Sequence, residues 1–272
     1  MGKHTREELK IMQAWPLEKK IEVTLGLILE WYQYYDGQVF ASFSGGKDST
    51  VLLDLVRRVC ADIPAVFVDT GVEYPEIREF VKTVSNVEWL KPKLSFKEIV
   101  ETYGYPVISK EVSNVIDGAR KGQEYRIKRL NGELLDKNGN ISIFNCPQYK
   151  FLLDAPFKIS DKCCYHIKKS PIYSYERRTG RKSIIGTMAS ESLLRLQKWL
   201  QYGCNAYDGQ HPTSKPLSFW TEQDVLKFIK EHFPDLPIHA STQMTITNAM
   251  GAKFLEELGV ERVVTAREMQ LS

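Results

Sequence analysis

The sequence predicts an α/β protein built on a parallel sheet, and three observations lead to that class. Short β-branched runs alternate with helical periodicities along much of the chain. A glycine-rich turn joins the first such run to the helix that follows it. The 272 residues, 43% hydrophobic and 26% charged, are enough for one large domain or for one domain with an appendage, at about 150 residues per domain. That composition excludes collagen-like, low-complexity and wholly disordered chains.

Taken in order, residues 17 to 35 place Ile21, Leu25, Ile28, Leu29 and Tyr32 on one helical stripe, and Asp36-Gly37 ends it. A strand is predicted from Gln38 to Phe43, then a glycine loop, then a helix through Val51, Leu52, Leu55, Val56 and Val59. A second strand, Ala65 to Val68, delivers Asp69-Thr70-Gly71 to its end. A helix from about Pro75 to Val84 leads to a third strand, Val87 to Leu90. Lys110 to Val115 has a helical pattern, whereas Gly122 to Asn140 is polar, carries Asn-Gly turns and reads as an irregular insertion. Regular structure resumes with the strand Ser183 to Gly186, helices over Ser190 to Tyr202 and Glu222 to His232, and a β-α-β tail from Ile238 to Ala266.

Charge and cysteine usage narrow the class. Lys plus Arg number 37 against 34 Asp plus Glu, a net +3 that does not by itself call for nucleic acid. Between Lys158 and Lys182, eight basic residues face only Asp161 and Glu176, a density suited to an anionic ligand or to a solvated face. Tyr165, Tyr173 and Tyr175 lie within that run, so nucleic acid stays a partner to test. The longest apolar stretch, Val23 to Leu29, falls far short of the ~18 residues of a membrane span. The opening residues lack the apolar core of a secretory signal, and Arg6 stands where a myristoylation motif needs Ser or Thr, so a cytoplasmic protein without a membrane partner is expected. Five cysteines, at 60, 146, 163, 164 and 204, are odd in number and two are adjacent, which disfavours a disulfide scaffold.

The chemistry begins at Ser44-Gly45-Gly46-Lys47-Asp48-Ser49. Two glycines let the backbone fold tightly with several N–H groups inward, and the following helix aims its positive end at the same place. Lys47 adds a full charge, and Ser44 and Ser49 add hydroxyls, so the loop is predicted to hold phosphate. Ala41 stands where a Gly-x4-Gly-Lys-Ser/Thr motif needs its first glycine, and Asp48 follows the lysine, which excludes that nucleoside triphosphatase loop.

These residues resemble the pyrophosphate-binding loop (PP-loop) of the adenine nucleotide alpha hydrolase superfamily. Phe67 to Glu76, Cys163-Cys164 with Lys168, Lys169 and Pro171, Gly186-Thr187-Met188 with Glu191, Ser192 and Arg195, and Phe219 to Val225 are similar to the phosphoadenosine phosphosulfate (PAPS) reductase branch, over about residues 15–232. The resemblance implies a Rossmann-like parallel sheet with helices on both faces that binds ATP or PAPS across the carboxyl ends of its strands. It implies that Ser44, Gly45, Gly46, Lys47, Asp48 and Ser49 hold the phosphates, with Asp48 a ligand for magnesium. Asp69 and Glu73 would line the neighbouring strand end, although Asp69-Thr70-Gly71 also reads as a plain turn. Arg195 and Lys168 would neutralise remaining anionic oxygens. Retention of Ser-Gly-Gly-x-Asp-Ser is the form kept by superfamily enzymes that cleave ATP to AMP and pyrophosphate. Lys47 and Asp48 are therefore expected to act in adenylation of a substrate, followed by sulfur transfer from a thiol or sulfur donor, with sulfonucleotide reduction as the family's other activity. An ATP-dependent DNA or tRNA sulfurtransferase and a catalytically silent nucleotide-binding remnant are the alternatives.

In iron–sulfur members of the family a Cys-Cys pair joins a later Cys-x-x-Cys. Here Cys163-Cys164 lacks that later pair; Cys146 and Cys204 are the stand-ins, and the ligand count argues against a cluster. The other readings are two quiet thiols or a reactive thiolate, its pKa lowered by Lys162, His166, Lys168 and Lys169. After residue 232 the chain departs from the family. Residues 233–272 resemble a fragment of collagenase-like peptidases, whose fold is a β/α barrel. One strand, one helix and one strand cannot close that barrel, so no peptidase activity is expected, and a fused or recombined reading frame is suggested. The expected organisation is a nucleotide-binding domain over 1–232 with the tail 233–272 appended.

Overall fold

The computed structural model describes residues 3–236, 238–240, 246, 248–257 and 259–263. Helix α1 (Arg6–Gln13) opens on a capping box, Thr5 and Glu8 bonding reciprocally to each other's backbone N–H. Helix α2 (Leu17–Tyr34) follows, then β1 (Val39–Ser42), α3 (Lys47–Val59), β2 (Ala65–Val68), α4 (Pro75–Thr83) and β3 (Val87–Leu90). Next come α5 (Phe96–Tyr103), α6 (Lys110–Arg120), α7 (Glu124–Asn131), α8 (Ser170–Thr179), β4 (Lys182–Ile185) and α9 (Leu193–Tyr202). The short strands β5 (Asn205–Ala206) and β6 (Thr213–Ser214) precede α10 (Glu222–His232), and β7 (Ile238–Ala240), α11 (Ala249–Glu257) and β8 (Val260–Val263) end the described chain.

Six strands form one sheet in the order β3-β2-β1-β4-β6-β5, with helices on both faces. Strand β1 pairs in parallel with β2 and β4, and β4 in parallel with β6, while β5 runs antiparallel to β6. The α/β class and the parallel sheet predicted from the sequence are therefore present. The connection order reverses between β1 and β4, which is the point where open parallel sheets leave a crevice at their carboxyl ends. Strands β7 and β8 pair in parallel as a separate ribbon, so the β-α-β tail is observed and His239 is a strand residue.

The chain resolves into two compact units, Met1–Val66 with Phe80–Glu88 and Arg181–Ser272, and Phe67–Glu79 with Trp89–Gly180. The first has a core of fully buried side chains from β1 (Val39, Phe40, Ala41), α3 (Val51, Leu52, Leu55, Val56), β4 (Ile184) and α10 (Val225, Phe228). At about 25 cal/mol per Å² of apolar surface removed from water, each large side chain contributes roughly 1.5–3 kcal/mol. The second unit has its own cluster, Val112, Val115, Ile116, Leu130, Cys146, Leu152 and Ile159.

Two expectations are corrected. The buried stripe of α2 is Leu17, Lys20, Thr24, Ile28 and Trp31, whereas Leu29 is exposed. The helix is turned because polar partners claim its face. The Trp220 Nε1–H donates to Thr24 Oγ1 at 2.9 Å, and Lys20 Nζ donates to Asp224 Oδ2 at 2.6 Å and to the Gln13 carbonyl at 2.7 Å. The segment Gly122 to Asn140 is not wholly irregular. Its first half folds as α7, closed by Gly132 in the left-handed region, and only the second half is a turn, bridged between Leu135 and Ile141.

Candidate functional site: a glycine loop at the switch point

Strand β1 ends at Ser42, and the loop from Phe43 to Gly46 carries the chain into α3. Gly45 takes φ +73°, a left-handed backbone that an L side chain rarely adopts, and this lets the chain reverse within one residue. Gly46 is the N-cap of α3 and has no side chain with which to cap it. The first-turn amides of Lys47, Asp48 and Ser49 therefore have no side-chain acceptor, and the helix dipole adds its partial positive charge at the same point. An external oxyanion is the natural partner for such a helix start.

Hydroxyls hold the loop in shape. Ser49 Oγ donates to the Gly46 carbonyl at 2.8 Å, accepts from the Ser44 N–H at 3.1 Å, and lies 3.1 Å from Ser44 Oγ. Thr50 Oγ1 donates to the same Gly46 carbonyl at 3.0 Å. Ser49 is buried, so its hydroxyl stitches the cradle together, whereas Ser44 closes it with a long bond to the Gly46 N–H at 3.4 Å.

Lys47 is half-buried between two carboxylates. Its Nζ lies 3.0 and 3.2 Å from the Asp48 oxygens and 2.9 Å from Glu222 Oε1 on the first turn of α10. Burial alone would lower the Lys47 pKa, but Asp48 and Glu222 outweigh it and hold the ammonium above its ordinary value. Asp48 and Glu222 thus direct oxygens at one cation position, a donor set that fits a small hard ion sharing phosphate oxygens as well as it fits an ammonium. Sequence reasoning missed Glu222. The signal available was its place in Trp220-Thr221-Glu222, straight after the N-cap of α10.

The strand beside β1 completes the loop's surroundings. Gly186 follows β4, and a Cβ built on it would lie 2.9 Å from the Asp48 carbonyl oxygen and 3.2 Å from Leu52 Cβ. Only glycine lets the end of β4 approach the first turn of α3 so closely. Next, Glu191 accepts the Met188 N–H at 2.6 Å and pairs with Arg195, while Ser192 caps α9 by accepting the Arg195 N–H at 3.3 Å. Burial lowers the Arg195 pKa, and the negative charge of Asp48 opposes the shift, so the guanidinium acts within the electrostatic reach of the loop.

Lys215, also unforeseen, follows β6. The registers Ser42 with Ile185 and Ile184 with Ser214 put it at the same carboxyl edge of the sheet as the loop. It is half-buried, and its pKa is lowered by that burial and by the neighbouring cations Lys198 and Arg195. A cation held against two others is short of negative charge.

The remaining sequence-predicted residues belong to the second unit. Asp69 is buried, with Oδ1 accepting the Gly71 N–H at 3.2 Å and Oδ2 paired with Arg78 at 3.0 Å. Glu73 accepts from both the N–H and the hydroxyl of Thr70. Both carboxylates thus brace the turn after β2. Cys163 and Cys164 are half-buried free thiols just before a π-helical turn, Tyr165–Lys169, that carries exposed Lys168. His166 in that turn stacks on Tyr103 with ring centroids 4.0 Å apart. Of the open readings of this pair, the reactive thiolate gains no support at Cys163. Burial and Cys164 raise its pKa and outweigh Lys168 and Lys110, while burial and Lys162 keep His166 below its ordinary value and so unable to supply charge at neutral pH. Cys146 lies in the core of the second unit, and Cys204, buried beside Trp199 in the first, is pushed up to about 11. Among the described residues no three His, Cys, Asp or Glu side chains gather as a ligand set, so the thiols do not fit a four-thiolate cluster. No helix among them is long and apolar enough to cross a membrane.

Comparison with known proteins agrees with the sequence resemblance. Residues 38–121 match the phosphoadenosine phosphosulfate reductase domain, and residues 221–272 match peptidase family U32. The second match starts at α10, twelve residues before the tail was expected to begin. An uncharacterised protein of Methanocaldococcus jannaschii is 36% identical over 98 residues, 33% of this chain and 24% of that protein. An adenosine 5'-phosphosulfate reductase of Bacillus velezensis is 33% identical over 84 residues, 28% of this chain and 36% of that enzyme. One from Staphylococcus haemolyticus is 24% identical over 225 residues, 78% of this chain and 69% of that enzyme. Against the first relatives the chain thus spans about a quarter to a third of their length. Among solved structures, the NH3-dependent NAD synthetase of Campylobacter jejuni in complex with nitrate superposes with a TM-score of 0.42 at 15% identity, covering 80% of this chain and 73% of that one.

Proposed function

We propose that the protein is an enzyme that binds an adenine nucleotide, ATP or an adenylyl sulfate such as PAPS, in the loop Ser44 to Ser49, and uses it in sulfur transfer or sulfonucleotide reduction. The observation that carries the reading is the uncapped first turn of α3, preceded by Gly45 in a left-handed backbone and flanked by Lys47, at the β1/β4 switch point. With ATP, a substrate oxygen attacks the α-phosphorus, the α–β anhydride P–O bond breaks, and pyrophosphate leaves with the electron pair. A sulfur nucleophile then displaces AMP from the adenylated substrate. The loop amides and Lys47 stabilise the charge that develops on pyrophosphate, and Arg195 and Lys215 bear on the same edge. A magnesium ion would be held by Asp48, with Glu222 as the second carboxylate, and would supply further neutralisation of the phosphates. With PAPS, two thiols of a partner supply the two electrons and are oxidised to a disulfide, and sulfite and adenosine 3',5'-bisphosphate are released. The likeness to adenosine 5'-phosphosulfate reductases supports this class of substrate.

The deciding experiment is parallel calorimetric titration with ATP, PAPS and adenosine 5'-phosphosulfate, joined to an assay of pyrophosphate release from ATP. Lys47→Ala should weaken nucleotide binding and abolish pyrophosphate release. Equal rates for the two proteins remove the loop from the mechanism, and binding without turnover of any of the three nucleotides favours a catalytically silent remnant.

A further inference from the structure

The second unit contains a hollow of about 280 Å³ at the carboxyl end of β3, which the nucleotide reading does not use. Its lining combines Trp89, Lys91 and Lys93 from the end of β3 with Ser170, Ser174 and Arg178 along α8. Ser170, Ser174 and Arg178 are spaced i, i+4, i+8, so a single stripe of α8 supplies two hydroxyls and a guanidinium. Pro92 separates the two lysines, and both lysines line the hollow. The Arg178 guanidinium lies 5.4 Å from the Tyr175 ring centroid, a buried platform that steadies it. Ser174 Oγ accepts from Arg177 at 3.5 Å. No acidic residue lines the hollow, and Lys91 and Lys93 have no ion pair or side-chain hydrogen bond among the described residues. Cations converging from two elements onto one concavity, with hydroxyl donors between them, are complementary to a tetrahedral oxyanion.

We propose that this hollow binds a phosphate or sulfate group, free or as the terminal group of an ester. At about 280 Å³ the hollow admits such a group with room for the atoms to which it is esterified. Convergence on one hollow, rather than spacing along a track, favours a discrete oxyanion over a nucleic-acid backbone. Every residue that lines the hollow belongs to the second unit, and none belongs to the glycine loop.

The test titrates the full chain with sodium sulfate, sodium phosphate and glycerol 2-phosphate at constant ionic strength, followed by calorimetry. Saturable binding at the hollow is expected besides any at the glycine loop, so the titrations are repeated in the Lys47→Ala protein to isolate the hollow's component. The Lys91→Ala/Lys93→Ala pair should weaken it roughly tenfold or more, and Arg178→Lys several-fold, because an ammonium cannot make the bidentate contact. Lys47→Ala should leave it unchanged. Tighter binding of the ester than of inorganic phosphate assigns an ester head group, and the reverse a free oxyanion; both support the site. Absence of saturation, indifference to the lysine pair while circular dichroism reports intact folds, or loss on Lys47→Ala overturns the proposal. Binding of oligonucleotides alone, with a steep salt dependence, overturns it in favour of a nucleic-acid surface.

Discussion

Replacing Gly186 by alanine tests whether the end of β4 and the start of α3 are locked together. The new Cβ meets the Asp48 carbonyl oxygen at 2.9 Å and the Asp48 carbonyl carbon at 3.3 Å. Both are backbone atoms in the first helical turn, so no side-chain rotation relieves the contact. Overpacking of this kind costs about 1–3 kcal/mol, while the lower entropy of alanine in the unfolded chain returns about 0.4–1 kcal/mol. The net is roughly 1–2 kcal/mol of lost stability, or a fall in Tm of about 2–8 °C for a chain of this size. Nucleotide affinity should fall as well, since relief requires moving the turn whose amides face the phosphates. Differential scanning calorimetry with and without ATP measures both effects. Gly26→Ala, at an α2 position with nothing within 4 Å of the new Cβ, should instead gain about 0.5–1 kcal/mol and serves as the control. A Gly186→Ala protein with wild-type Tm and wild-type affinity refutes the locking.

Other tests follow from the electrostatics. The Lys47 pKa is raised, so the contribution of its ion pairs to stability is complete below the unfolded value of 10.5 and is lost as pH climbs through the higher folded value. Glu222→Gln should shrink that alkaline loss, as read from Tm against pH. Lys215 is the opposite case. Its lowered pKa penalises the fold wherever the amine is protonated, and the penalty fades as pH rises from the folded value to 10.5. Lys215→Met should therefore raise Tm at neutral pH while weakening nucleotide binding, as thermal melts and titration calorimetry would reveal. At Cys163 the raised pKa predicts slow alkylation by iodoacetamide at neutral pH, accelerating only above the ordinary thiol range, as read from the alkylated peptide that carries Cys163 in Cys164→Ser protein.

The sequence made β1, β2, β3, β4 and α10 legible because each is bounded by turn or capping residues and is apolar in a period of its own. It made the glycine loop legible because Gly45 and Gly46 have few other uses between a strand and a helix. What it concealed depends on partners distant in the chain. The buried face of α2 is set by Asp224 and Trp220, some two hundred residues on, and no local period can report that Lys20 is buried. Glu222 and Lys215 were hidden for the same reason, since each reaches its neighbours only through the sheet and the packing of α10 with α3. Helices α5 and α8 were missed because their stripes are short and interrupted by polar residues, and α8 gains its start from Pro171. Counting cations near Cys163 could not choose among its readings, because the burial that opposes them is set by tertiary packing.

The stretch that matches peptidase family U32 begins at Thr221, yet its first residues serve the glycine-loop unit. Glu222 pairs with Lys47, and Asp224 both completes the capping box of α10 by accepting the Thr221 N–H at 2.7 Å and pairs with Lys20, a lysine only 1% exposed. Removing one partner of a buried ion pair leaves an uncompensated charge at a cost of about 3–5 kcal/mol, a large part of the 5–15 kcal/mol that holds a domain folded. Helix α10 also buries Val225 and Phe228, with Trp220 and Phe228 ring centroids 5.9 Å apart. A chain truncated after Trp220 should therefore lose cooperative melting, whereas one truncated after Leu236 should retain it together with the Lys47 and Lys20 pairs. Circular dichroism melts of the two truncations decide the matter. A cooperative transition in the shorter chain would mean that α10 is an accessory to the nucleotide-loop unit, and that Glu222 is not what holds Lys47 in place.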